Sequence, residues 1–221
     1  MNIQQELEKN KDLDYQVFLQ NLIPNTQVLG VRTPILQKIA NRLDSIGFLS
    51  SQIPNTYEYN LLYGMCIAKA NLPYQEKLKH LEQFMDRIDN WSVNDLIACR
   101  QKWLQENPEA TKKWIQKQIQ THQPWKQRFA YTLILNFFLT QENLNWIFQQ
   151  TDFPFEKTYY TQMAVAWLLS LCLLHFPTET EMYLKQSQLD TFTYNKTFQK
   201  AIESKQVSQE KKQIYRNLKQ K

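Results

Sequence analysis

The stretch TPILQKIANRLDSIG, residues 33–47, shows the pattern that decides the fold of this chain. Thr33 followed by Pro34 is typical of a helix start, with a capping threonine and a proline in the first helical position. Apolar side chains then recur with the spacing of one helix face, at Ile35, Ile39, Leu43 and Ile46. Gly47 follows at the position expected for the end of a helix. The stretch therefore predicts one amphipathic helix.

The same pattern, a proline followed by helically spaced apolar residues, repeats along the chain. Asn107 and Pro108 form another capped start, and no alternating strand segment lies between turn signals. The chain has only three glycines, which disfavours tight hairpins and favours helices joined by short turns. We predict about a dozen helices, at roughly residues 13–23, 34–46, 57–70, 74–88, 93–106, 109–121, 125–139, 142–149, 156–175, 179–187, 193–203 and 208–219.

Short connections between these helices imply antiparallel neighbours, and helices paired in this way favour a stacked α-solenoid. Self-similarity between the segments is weak, so the periodicity alone does not identify the type of repeat. No flexible linker divides the chain. We therefore predict an all-α fold in a single domain spanning residues 1–221.

The composition predicts no metal and no cofactor. The chain has no Gly-rich phosphate loop and no Cys-x-x-Cys pair. Its cysteines lie apart, inside helical segments, and we expect buried free thiols in a reducing cytosol rather than a zinc site. The cysteines and histidines are Cys66, Cys99, Cys172, His80, His122 and His175.

Two features of the sequence bear on the location of the protein. Residues 1–6 are polar and show no signal-peptide pattern. The longest apolar stretch, Met163–Phe176, is too short to span a bilayer and is interrupted by Ser170 and His175, so we predict a buried helix there. We expect a cytoplasmic protein with no membrane contact.

The positive charge of the chain is concentrated at its carboxyl-terminal end. The net charge is +5, and the segment from Lys196 to Lys221 contains eight lysines and arginines against Glu203 and Glu210. A basic segment of this kind suits contact with nucleic acid. A solvated terminal helix without a partner explains the same composition equally well.

Four residues form a candidate functional site if the fold brings them together. Trp91 and Asp95 are four residues apart, so on a helix they lie on one face. Arg128 and Trp167 stand well downstream. Two aromatic faces, one carboxylate and one guanidinium in a cleft suit a cationic substrate attached to an anionic polymer.

Each of these residues also has a structural interpretation. Ser92 and Asp95 have the spacing of a capping box, in which Asp95 would serve only the helix start. Trp91 and Trp167 would ordinarily be core aromatics, and Arg128 a solvated surface residue. We assign the remaining tryptophans outside the motifs to packing; these are Trp103, Trp114 and Trp146.

The ordered motifs resemble those of a known family. Residues 30–36, GVRTPIL, resemble its Gly-[Ile/Val]-[Arg/Lys]-x-Pro-x-Leu opening, and Trp91 with Asp95 fits its Trp-x-x-x-Asp motif. Residues 125–128, WKQR, fit its Trp-x-x-Arg motif, and residues 163–167, MAVAW, fit the helix that carries its second tryptophan. The chain is similar to the HEAT-like-repeat DNA glycosylases of the AlkD type, the DNA alkylation repair family.

The resemblance implies a C-shaped solenoid of HEAT-like repeats whose concave basic groove holds duplex DNA. It implies a monomeric enzyme that excises cationic alkylated purines, N3-alkyladenine and N7-alkylguanine, in base-excision repair. Asp95, Trp91 and Trp167 would then frame the damaged nucleotide as catalytic residues. Arg128 would support the DNA backbone, and the DNA-binding element would include its neighbours Lys126 and Trp125.

One position departs from the family pattern. Members of the family carry an arginine three residues after the second tryptophan, whereas this chain has Ser170 there. Two alternatives therefore stand beside the glycosylase. The first is a catalytically silent DNA-binding protein with the same groove, and the second is a HEAT-like scaffold that binds other proteins.

Overall fold

A computed structural model describes residues 1–219, which fold into helices joined by short loops with no β-strand among them. These residues form fourteen α-helices: α1 Ile3–Lys9, α2 Leu13–Leu22, α3 Thr33–Arg42, α4 Ser45–Leu49, α5 Tyr57–Lys69, α6 Tyr74–Met85, α7 Trp91–Ala98, α8 Pro108–Ile119, α9 Pro124–Phe137, α10 Leu144–Asp152, α11 Tyr159–His175, α12 Pro177–Gln186, α13 Thr191–Glu203 and α14 Gln209–Leu218. Short 3-10 helices occupy Lys102–Glu106 and Gln141–Asn143. The prediction of an all-α fold is confirmed.

Contacts within the chain divide it into two compact units, Met1–Trp103 and Leu104–Lys221. In the first unit α5 is central and packs against α3, α4, α6 and α7. In the second unit α11 packs against α9, α12 and α13, while α8 lies on α9 and α14 lies on α13. Alternate helices thus form one row in each unit, as in an α-solenoid. The row is α3–α5–α7 in the first unit and α9–α11–α13 in the second. That the two units form a single domain stays a prediction.

The predicted helix over residues 34–46 is wrong in detail, because it is broken into α3 and α4. The ammonium group of Lys69 donates to the backbone carbonyls of Ala40 and Leu43 and so satisfies the end of α3. Gly47 lies inside α4 instead of ending the first helix. Thr33 is the first residue of α3, and the N-cap position belongs to Arg32.

The predicted helix over residues 93–106 also stops early, at Ala98. The side chain of Gln101 is fully buried and donates to the carbonyl oxygens of Gly64 and Ile97. It also accepts a hydrogen bond from the indole of Trp103 at 2.9 Å. The Gln101 side chain thus donates to a carbonyl at the end of α7 that the next helical turn would otherwise satisfy. The chain then continues as a short 3-10 helix.

Two close approaches position the functional helices. At Gly64, in α5, an added Cβ would overlap the Ile97 side chain, so this glycine lets α7 lie directly on α5. In the second unit, the middle of α11 presents the small buried side chains Ala164 and Ala166 between α9 and α13. Cys172 is buried in the same helix, which confirms the buried helix predicted at Met163–Phe176.

No helix among residues 1–219 is both long enough and apolar enough to cross a membrane. The expectation that all three cysteines are buried is wrong at one position. Cys66 and Cys172 are buried, whereas Cys99 is exposed at the end of α7.

Candidate functional site

The loop before α3, which contains the first sequence motif, is held by a buried carboxylate. Glu58 is fully buried and accepts hydrogen bonds from the backbone amides of Leu29, Gly30 and Val31 at 2.9 to 3.3 Å. Gly30 has φ +90°, and a Cβ there would lie 2.5 Å from the carbonyl oxygen of Asp12. The motif therefore holds α2, α3 and α5 together, and its role is structural.

Helix α7 begins at a polar network that is itself buried. Asn90 is the N-cap, and its side-chain oxygen accepts from the Val93 amide at 2.9 Å. Its side-chain amide donates to Thr26 at 3.2 Å and to Asp89 at 2.7 Å. The network ties the start of α7 to the earlier loop, so the first turn of this helix has a fixed position.

The capping-box interpretation of Ser92 and Asp95 is wrong. Asn90 is the cap, and Ser92 is the second residue of the helix. The Ser92 hydroxyl instead shares a buried hydrogen bond of 2.9 Å with the hydroxyl of Tyr57. Burial raises the pKa of Tyr57, so this hydroxyl stays neutral and able to donate. Asp95 is therefore not needed to start the helix.

Trp91 and Asp95 are the first and fifth residues of α7, and they lie on one face of it. Both side chains are half-buried, so neither belongs to the fully buried core. The side-chain amide of Asn94 donates to Asp95 Oδ1 at 2.9 Å. α7 thus presents an indole and a carboxylate side by side, with the carboxylate oriented by its neighbour.

Arg128, in α9, is buried, so the interpretation as a solvated surface residue is wrong. Only 6% of it is exposed. Its Nη1 donates to the carbonyl oxygen of Tyr160 at 2.8 Å, and its guanidinium carbon lies 5.9 Å from the centre of the Tyr160 ring. The arginine therefore fastens the first turn of α11 to α9.

The residues just before Arg128 form the outer part of the same contact. Trp125 stacks on Tyr160, with ring centres 5.0 Å apart and an interplanar angle of 30°. Lys126 is half-buried beside it. Two residues of the Trp-x-x-Arg motif thus contact the same tyrosine: the indole of Trp125 stacks on its ring, and the guanidinium of Arg128 lies 5.9 Å from the ring centre.

Trp167 lies half-buried in the middle of α11. The ammonium nitrogen of Lys200, from α13, lies 5.9 Å from the centre of its ring. Ser170, which stands where the resemblance leads us to expect an arginine, is 5% exposed and donates to the Trp167 carbonyl at 2.7 Å. Ser170 is therefore engaged within its own helix, and Lys200 supplies a cation at the Trp167 ring.

The basic carboxyl-terminal segment is partly packed against other helices of the second unit. Tyr215 of α14 is buried and donates to Glu181 at 3.3 Å, and Lys211 pairs with the same carboxylate at 2.6 Å. α14 is thus docked, and Lys211 is occupied within the protein. Gln220 and Lys221, the last part of this segment, lie outside the described residues.

The tryptophans outside the motifs have packing roles, as predicted. Trp103 and Trp114 are buried, and Trp146 packs edge-on against Phe138 with ring centres 6.0 Å apart. Among residues 1–219, no group of three or more histidine, cysteine, aspartate or glutamate side chains is placed to hold a metal ion.

The predicted site residues belong to both units. Trp91 and Asp95 share α7 in the first unit. The second unit contains Trp125, Lys126, Arg128 and Trp167. The sequence pattern did not indicate two neighbours, Tyr160 and Lys200. The aromatic pair at the start of α11 was a local signal for Tyr160. Lys200 had none, because its contact is made between two helices far apart in the sequence.

Comparison with known families matches most of the chain. The family model described as DNA alkylation repair enzyme matches residues 3–199, which is most of the chain and includes every predicted site residue. Comparison with curated proteins gives no match. The motifs on α7, α9 and α11 all fall within the matched region. The chain belongs to the DNA alkylation repair enzyme family.

Proposed function

We propose that this protein is a DNA glycosylase that removes cationic alkylated purines, N3-alkyladenine and N7-alkylguanine, from duplex DNA. The observation that best supports the proposal is on α7. Asp95 is a half-buried carboxylate on the same face as the half-buried Trp91, and Asn90 performs the capping that would otherwise explain it. A preorganised carboxylate beside an aromatic face suits a reaction that develops positive charge.

The proposed reaction is hydrolysis of the N-glycosidic bond. An alkylated purine that carries positive charge is already a good leaving group, so no strong general acid is needed to protonate it. As the bond breaks, positive charge develops on the deoxyribose in an oxocarbenium-like transition state. Asp95 stabilises this charge and positions the attacking water, whose oxygen bonds to the anomeric carbon as the glycosidic bond breaks and the neutral purine leaves; the proton lost by the water passes to solvent. This chemistry involves no metal ion or cofactor.

The tryptophans would bind the cationic nucleotide. A cation over an indole ring gains about 0.5–2 kcal/mol, depending on how far it is desolvated. In our proposal Trp91 contacts the sugar and base on the side of Asp95, and Trp167 contacts the nucleotide from α11.

The residues at the start of α9 would hold the DNA backbone. Lys126 is half-buried on the first turn and would bind phosphate as a point charge. Arg128 is buried, and its Nη1 donates to the carbonyl of Tyr160, which fixes the guanidinium beside the first turn of α11. We propose that Arg128 supports the backbone while it fixes Tyr160 and, through stacking, Trp125.

Asp95→Asn tests the proposal. The substitution keeps the size of the side chain and removes its charge, so we expect the fold and duplex binding to survive, with a stability cost below about 1 kcal/mol. Release of 7-methylguanine from methylated duplex DNA should slow by about 10²–10³. Asp14→Asn, which removes an exposed carboxylate from α2, is the matched control and should release the base at the unaltered rate.

One observation favours the alternative of a silent DNA-binding protein. Ser170 is buried against its own helix at the position where the resemblance implies an arginine. If the unaltered protein binds duplex DNA but frees no methylated base, this alternative replaces the glycosylase. If duplex binding is also absent, or does not weaken as salt is raised, the protein is a scaffold for other proteins.

A further inference from the structure

Four aromatic side chains form a continuous row across the second unit, where α9, α11 and α13 begin. We call Trp125, Tyr160, Tyr159 and Phe192 the aromatic row. Its neighbouring ring centres are 5.0, 5.3 and 6.1 Å apart in that order. The row brings together the first turns of three helices that are stacked side by side in the solenoid.

The aromatic row is exposed to an extent that packing does not explain. Tyr159 is 57% exposed, Tyr160 37% and Phe192 36%. Other aromatic residues of the same helices belong to the core: Phe129 of α9 and Phe198 of α13 are at most 1% exposed. Large exposed aromatic surfaces arranged contiguously are typical of a binding surface.

The charges beside the aromatic row are mainly positive. The ammonium nitrogen of Lys196 lies 5.5 Å from the centre of the Phe192 ring, and Lys157 is exposed two residues before Tyr159. Lys126 adjoins Trp125 at the other end. The carboxylates nearby have partners: Asp190 caps α13 through the Thr193 amide, and Glu156 lies 3.3 Å from His122.

We propose that the aromatic row is a stacking surface for an unpaired polynucleotide strand. Every base has an apolar π-face that stacks on an aromatic ring, and lysines along the row would bind the phosphates between the bases. Duplex DNA hides the faces of its bases within the helical stack, so it cannot use exposed rings in this way. This binding goes beyond the excision proposed above and does not depend on it, since Tyr159, Phe192 and Lys196 are not part of the proposed excision site.

The affinity for a fluorescein-labelled dT20 strand, measured by anisotropy, tests the proposal. Tyr159→Leu and Phe192→Leu remove the ring but keep an apolar side chain, so the melting temperature should change little. Each should weaken dT20 binding by about five- to tenfold, the low end of the usual contribution of one ring stacked on one base. Phe18→Leu removes a ring that is 55% exposed on α2, outside the row, and should leave dT20 binding unchanged.

A second measurement uses only the unaltered protein. A strand of the same length and charge that lacks bases should bind at least about tenfold more weakly than dT20, because it offers phosphates but nothing to stack. The strands rU20 and dT20 are compared directly. If rU20 binds more tightly than dT20, the aromatic row is assigned to RNA; if dT20 binds more tightly, it is assigned to DNA.

Three results would overturn the proposal. The first is unchanged dT20 affinity in both leucine variants. The second is equal affinity for the strand without bases, which would mean that the lysines act alone. The third is an equal loss of affinity for a 20-base-pair duplex in the leucine variants, which would make the row part of a duplex surface. Base release is not used in any of these measurements, so a failure of the glycosylase proposal leaves them unaffected.

Discussion

Two carboxylates of the first unit, Glu58 in α5 and Asp95 in α7, lie in contrasting surroundings. Glu58 is fully buried and accepts hydrogen bonds from three consecutive backbone amides. Asp95 is half-buried, and the side chain of Asn94 donates to it. A fully buried carboxylate must be satisfied by its own protein, whereas a half-exposed one can also face another molecule.

This contrast separates scaffold from candidate site where the sequence motifs do not. The motif at residues 30–36 and the motif that contains Trp91 and Asp95 both resemble motifs of the family, and both lie within the region matched by the family model. The first is used to build the fold around Glu58. The second belongs to α7, whose cap is supplied by Asn90, so helix capping does not explain the carboxylate of Asp95.

The largest expected effect comes from removing the buried carboxylate. Glu58→Ala leaves the amides of Leu29, Gly30 and Val31 without their acceptor, and burial of unsatisfied donors should lower the free energy of unfolding by about 3–5 kcal/mol. Urea unfolding followed by circular dichroism measures it. Glu58→Gln keeps one acceptor oxygen and should be less damaging. A loss below about 1 kcal/mol for Glu58→Ala would contradict the scaffold assignment.

The next effect concerns the glycine of the same motif. Gly30→Ala should destabilise the protein by about 2–3 kcal/mol, because φ +90° is unfavourable for alanine and its Cβ would meet backbone at Asp12. Gly47→Ala is the matched control. Gly47 lies in α4, where a Cβ would meet only the side chain of Asp44, so alanine there should be neutral or slightly stabilising. Equal effects of the two substitutions would refute the argument.

The helices were predictable from the sequence, whereas their breaks and partners were not. Apolar periodicity identified α6 and α9, because a helix with one buried face leaves a regular local pattern. The break between α3 and α4 depends on Lys69, which reaches the α3 carbonyls from another helix. No local pattern records a contact of that kind.

The candidate site shows the same limit more sharply. The spacing of Ser92 and Asp95 suggested a capping box, whereas the structure has the cap at Asn90. Ser92 shares a hydrogen bond with Tyr57, and Asn90 donates to Thr26. Both partners come from distant segments, so the position of the cap depends on contacts that no local pattern records. The roles of Trp91 and Asp95 in catalysis came from the ordered motifs, and they stay predictions until the variants are measured.

A smaller effect distinguishes the two basic residues of α9. Arg128→Ala should lower the free energy of unfolding by about 1–3 kcal/mol, since Tyr160 loses a charged donor, and Lys126→Ala should change it by less than about 0.5 kcal/mol. Both should weaken duplex DNA binding without sequence preference and reduce the salt slope by about one. Binding isotherms at several salt concentrations give that slope. If Arg128→Ala leaves it unchanged, the arginine acts only within the protein.

The smallest effect concerns a third carboxylate, Asp12, which is half-buried and belongs to the scaffold. The Tyr15 amide and the Arg32 guanidinium, 2.7 Å away, hold the pKa of Asp12 below its usual value. Because the folded pKa is lower than the unfolded one, the charge stabilises the protein above about pH 4, and this contribution is lost as the pH falls through the folded pKa. Asp12→Asn can still cap α2, so it removes only the charge. The urea midpoint of the variant should therefore fall less between about pH 5 and about pH 2.5 than that of the unaltered protein.

Asp14→Asn, two residues along the same turn, is the control for a general loss of negative charge. The same acid dependence in the unaltered protein and in Asp12→Asn would mean that the pair with Arg32 contributes nothing measurable, as many surface ion pairs do.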